Sequence, residues 1–99
     1  MNKVFLKGNI ANDINVRYTK NGKSIVNFVL AVDRKKSETS CTDFIQCVAW
    51  EALGEEMARH LHKGSKVFVE GRIQIHKTEK DTTTLFQTEV VADSVDFLR

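Results

Sequence analysis

Apolar residues recur with a period of two along most of this chain, and only one segment carries a helical period. That pattern confines the fold to strands wrapped around a core, with a single helix among them. Residues 3–12 (KVFLKGNIAN) set Val4, Leu6, Gly8 and Ile10 on one side and Lys3, Phe5, Lys7 and Asn9 on the other, a half-buried strand. Asn21-Gly22 is the strongest hairpin signal, because both residues tolerate positive φ. Residues 24–33 (SIVNFVLAVD) are rich in β-branched side chains and read as a second strand. Residues 34–42 (RKKSETSCT) read as an exposed loop, and residues 43–50 (DFIQCVAW) as a third strand.

The helical segment spans residues 51–64. Leu53, Met57, Ala58 and Leu61 form one apolar stripe. Glu51, Glu55 and Glu56 near its start and His60, His62 and Lys63 near its end suit the helix dipole, and Gly64 is a natural stop. Residues 65–77 alternate as a fourth strand. Residues 78–84 (TEKDTTT) read as a polar loop, and residues 85–98 as a fifth strand bent near Ala92-Asp93. Three strands, a helix and two strands give an all-β, five-stranded OB-type barrel with one α-helix between strands 3 and 4. At 99 residues, the sequence is expected to form a single domain over 1–99. Gly8 and Gly71 lie inside strands, where glycine marks a bulge or a tight bend.

Several function classes have nothing to support them. The two cysteines, Cys41 and Cys47, match no zinc spacing and read as reduced thiols of a cytoplasmic protein. The opening MNKVFLKG is not a signal peptide, and no apolar run approaches a membrane span. His60 and His62 stand two apart on a helix and point in different directions, so they do not share a metal. His76 has no evident partner, and Cys47 reads as core. Without a glycine-rich phosphate loop or a ligand cluster, no cofactor, metal or small-molecule substrate is expected, and the chain is not expected to be an enzyme. A metal-dependent nuclease is the catalytic alternative. The net charge of +2 permits nucleic acid as a partner without demanding it, so the placement of the charges matters more than their sum.

The third strand is the most informative. Ile45, Cys47 and Ala49 share one face, and Phe44, Gln46, Val48 and Trp50 the other. If the first face is the core, Phe44 and Trp50 stand outside, where stacking on unpaired bases is their natural use. Periodicity alone leaves this even with the reverse, an aromatic face buried in the core or beneath a second subunit. The cations favour the first reading as a set. Arg34, Lys35 and Lys36 lie in one loop, Arg72 on strand four, and Lys77 and Lys80 beside the following loop. In an OB barrel these are the surroundings of the nucleic-acid groove.

Four segments in order then carry a family resemblance. NKVFLKGNIANDINVRYTKNGKSIVNFVLAVDR, DFIQCVAWEALGE, KGSKVFVEGRIQ and TEVVADSVDFL resemble bacterial single-stranded DNA-binding proteins of the SSB type across nearly the whole chain. The resemblance implies non-sequence-specific binding of single-stranded DNA in replication, recombination and repair, as a homotetramer or a dimer. It implies base stacking on Phe44 and Trp50, with Gln46 between them. It implies phosphate contacts from Lys3, Lys7, Arg34, Lys35, Lys36, Arg72 and Lys77, and oligomer contacts at Lys66 and Phe68. Two aromatics common in the family are absent, at Lys36 and near Thr78, so binding is expected to lean more on charge, with Phe86 a partial substitute. The family's Asp-Pro is Asp13-Ile14 here. Its disordered, acidic-ended tail is absent from a sequence that stops at Arg99, as in a shortened chain or a short member from a phage or plasmid. The alternative is an accessory, primosome-type module of the same fold that acts mainly through protein contacts.

Overall fold

The computed structural model describes residues 1–35 and 40–98. The elements follow the chain as β1 (Val4–Ile10), β2 (Val16–Tyr18), β3 (Ser24–Lys35), β4 (Ser40–Trp50), α1 (Glu51–His60), β5 (Lys66–Lys80) and β6 (Thr83–Phe97). The sheet order β1-β5-β6-β4-β3-β2 closes on itself, because Asn9 and Ile10 of β1 also pair with Ala31 and Leu30 of β3. Five strands therefore make the expected barrel, and the helix follows the long β4 as expected. The sixth strand, β2, is an addition. Its three residues are too few to show a period, and it forms only because the Asn21-Gly22 turn folds it back onto β3, with Gly22 at φ 82°.

The core is built from the faces that alternation predicts. Ile10, Val26, Phe28, Leu30, Cys47, Ala49, Val67, Val69, Val90 and Ala92 fill the barrel, and Met57 and Leu61 close it from the helix side. Burial of Cys47, with the charge of Glu89 in second place, pushes its thiol from an ordinary 9.0 up to about 12, which leaves it unreactive at neutral pH. Cys41 is exposed. A thiol reagent such as Ellman's is therefore expected to modify one cysteine per folded chain, and the second only after denaturation. Rapid reaction of both in native buffer would contradict this packing.

Three boundaries differ from expectation. The helix ends at His60 rather than 64: Leu61 turns extended so that its side chain stays in the core, and its amide still bonds Met57 O at 2.8 Å. Gly64 instead sits at φ 98° in the turn that follows, where its amide bonds Ile10 O at 2.7 Å. The polar run 34–42 is not a loop throughout, since Arg34 and Lys35 extend β3, and Ser40, Cys41 and Thr42 extend β4. The run 78–84 is mostly strand, with Lys80 opposite Thr83 and only residues 81–82 in the turn. Its polarity comes from an arm that leaves the barrel and meets water on both faces, not from a lack of strand propensity. The expected bend near Ala92-Asp93 is a bulge, in which Gly71 pairs with Ala92 and Glu70 with Ser94. A Cβ at Gly71 would lie 2.1 Å from Val91 O, so the bulge requires glycine there. No described helix is long and apolar enough to cross a membrane.

Candidate nucleic-acid interface

Burial within the chain shows which face of the third predicted strand fills the core. Cys47 and Ala49 are 2% and 0% exposed, whereas Phe44 is 65% and Trp50 40% exposed. Both rings thus stand on the outward row of β4, six residues or about 20 Å apart. Between them lie exposed Gln46 and buried Val48. The floor beside this row is of small or medium side chains, since Ala31 flanks Phe44, Val29 flanks Gln46 and Ile25 flanks Trp50. A flat strip with two exposed rings is what a chain of bases needs in order to stack without being read edge by edge.

Register across the sheet decides which cations join the strip. Arg72 faces Val91, which pairs with Val48, which faces Asn27, so Arg72 shares a lateral row with the middle of the strip. Its guanidinium lies 3.6 Å from the Asp93 carboxylate. A second row runs Phe44, Ala31, Asn9, Lys66 across four strands. It leads into a cleft of about 460 Å³ lined by Lys7, Gly8, Asn9, Ala31, Asp33 and Lys66. Lys66, expected at an oligomer contact, therefore also borders the path that leaves Phe44. Neither Lys7 nor Lys66 makes an ion pair among the described residues.

Other expected contacts lie elsewhere. Arg34 falls on the opposite face of the β3–β4 hairpin from Phe44. It grips Asp43 with Nη2 at 2.8 Å and Nε at 3.0 and 3.1 Å from the carboxylate oxygens. That hydrogen bonding, beyond the Coulomb attraction, holds the Asp43 carboxyl below its usual range. Lys77 is on the opposite face of β5 from Arg72. It sits across from Phe86, which is 69% exposed, on the projecting arm. Lys77 Nζ lies 3.3 Å from Glu79, and Lys3 Nζ 2.8 Å from Glu70. Such exposed pairs are screened by solvent and weak, so a phosphate can displace the carboxylate at little cost. Lys36 lies outside the described residues, and Lys35 is placed only by its backbone, opposite Ser40.

One cation escaped the sequence reading. Arg17 pairs with Ile25, and Ile25 with Trp50, so exposed Arg17 stands in the Trp50 row. The available signal was its place just ahead of the Asn-Gly turn, which folds whatever precedes it back onto β3. Phe5 and Phe68 form a separate aromatic patch on the β1–β5 face, with ring centroids 6.4 Å apart. Among the described residues, no group of three His, Cys, Asp or Glu side chains is placed to hold a metal ion.

Known proteins match this sequence over nearly its whole length. A model of the single-strand binding protein family covers residues 1–98. A single-stranded DNA-binding protein of Oceanobacillus iheyensis is 45% identical over 99% of this chain and 63% of its own length. Single-stranded DNA-binding protein 2 of Listeria innocua is 45% identical, again over 99% of this chain, and 64% of its own length. Single-stranded DNA-binding protein A of Bacillus subtilis is 41% identical, over 99% and 59%. The chain thus spans about three-fifths of the length of these curated relatives. With a closed barrel, an outward aromatic row and a match from end to end, the chain belongs to the single-strand binding protein family.

Proposed function

We propose that this domain binds single-stranded DNA with little sequence preference, and without catalysis, in replication, recombination and repair in the bacterial cytoplasm. The observation that carries the reading is the outward row of β4. Phe44 and Trp50 are exposed there although the opposite face of the same strand already fills the core. Bases stack on these rings, and Arg17, Arg72, Lys7 and Lys66 border the strip to meet phosphates. Lys3 holds a carboxylate and acts as an exchangeable partner, whereas Arg34 and Lys77 lie on faces turned away from the strip. The names of the relatives agree with this reading and lend nothing to an accessory role.

The reading extends to a homo-oligomer, as a tetramer or a dimer. Residues 4 to 8 of β1 pair with β5 on one side only, which leaves an open edge, and an open edge is suited to pairing with another chain. The exposed Phe5–Phe68 patch beside Lys66 supplies an adjoining apolar surface.

Trp50 is the only tryptophan. Titration with oligo-dT is therefore expected to quench its fluorescence to a saturating plateau at low and at moderate salt. An unchanged spectrum, with no binding by an independent method, would refute the proposal.

A further inference from the structure

Beside Trp50 lies a cleft of about 400 Å³ lined by Thr19, Asn21, Lys23, Trp50 and Glu51. One wall is the β2–β3 turn, which three hydrogen bonds tie together. Thr19 N–H bonds Lys23 O at 2.9 Å, Gly22 N–H bonds Thr19 O at 2.9 Å, and Lys23 N–H bonds Thr19 Oγ1 at 3.2 Å. The other wall begins at Glu51, whose backbone sits at φ 52°, in the left-handed region. A residue with a side chain is held there at a cost, and such outliers cluster at ligand sites. Glu51 has no ion-pair partner among the described residues.

We infer that this cleft is a base-reading subsite, in which Glu51 favours bases that present an amino group over thymine. The inference rests on the proposed stacking of a base on Trp50. A base seated on that ring turns its polar edge toward the cleft walls. An ionised Glu51 carboxylate only accepts hydrogen bonds. At the exocyclic position cytosine offers the N4 amino group and adenine the N6 amino group, whereas thymine offers O4, which repels a carboxylate and leaves it only the single N3–H beside it. Lys23, on the turn, and Arg17, in the Trp50 row, leave cations on the β2 side for the flanking phosphates. The subsite biases base composition at one position within an otherwise sequence-tolerant track.

The test compares oligo-dC with oligo-dT of equal length, followed by Trp50 fluorescence at neutral to mildly alkaline pH, for the wild type, Glu51→Gln and Glu51→Gly. Glutamine both donates and accepts, so it serves thymine as well. Glycine removes the carboxylate and suits the positive φ, so neither variant is expected to unfold the domain. The quantity read is the ratio of Kd for dT to Kd for dC. Normalising each variant to the wild type removes any intrinsic preference of the track. The ratio is expected to fall about fivefold or more in both variants, the discrimination of one base-edge contact. A ratio unchanged within about twofold, with quenching retained, overturns the inference and leaves the DNA-binding proposal standing. Equal weakening of both oligomers also overturns it. Absence of binding by the wild type overturns the parent proposal and this inference together.

Discussion

Replacing both Phe44 and Trp50 with alanine is expected to weaken binding of oligo-dT by about 2–6 kcal/mol, since each stacked base contributes about 1–3 kcal/mol. That corresponds to a rise in Kd between about thirtyfold and about twenty-thousand-fold. The double variant has no tryptophan, so anisotropy of an end-labelled oligonucleotide is the suitable readout. Phe44 is 65% exposed, and its truncation is expected to change stability by no more than about 0.5 kcal/mol. Trp50 is more enclosed and stands at the start of α1, so circular dichroism should accompany the binding data. The dependence on salt separates stacking from charge. Loss of the rings leaves the slope of log K against log salt unchanged, whereas loss of a cation that contacts a phosphate lowers it by about 0.7. Affinity within about twofold of the wild type would remove the aromatic row from the mechanism.

Phe28→Ala is expected to have the largest effect on stability, a loss of about 3–5 kcal/mol. Phe28 is 1% exposed, the largest of the fully buried side chains, and sits opposite Cys47 at the centre of the barrel. It shares one buried cluster with Ile10, Leu30, Met57 and Val69, held by a closed ring of strands. Such a ring has little freedom to collapse into the space that the ring of Phe28 vacates, so the cavity term adds to the lost burial. Against a total of about 5–15 kcal/mol for a typical domain, this is a large fraction. The melting temperature, read by circular dichroism at matched protein concentration, is expected to fall by at least about 12 °C. A loss below about 1 kcal/mol would mean that the core repacks around the void.

The sequence by itself determined the order of the five barrel strands and the helix, the Asn21-Gly22 turn and the helix that closes the barrel. These follow from properties that neighbouring residues already contain: a period of two or 3.6, a turn dipeptide, an apolar stripe. It also narrowed the candidate rings to Phe44 and Trp50, while leaving open which face of β4 was the core. Only the tertiary structure decided that, by filling the barrel with the face bearing Cys47 and Ala49. It likewise decided which cations stand beside the rings. Arg34 is close to Phe44 in β-hairpin terms but faces the other way, while Arg17 and Arg72, remote in the chain, fall into the same rows as Trp50 and Val48. Residues 78–84 at the end of the β5–β6 arm, read from their polarity as a loop, are mostly strand because the partner across the ladder, not composition, satisfies their backbone. Alternation tells each strand which side faces in. Which side chains become neighbours depends on the register between strands far apart in sequence, and that register is set only when the barrel closes.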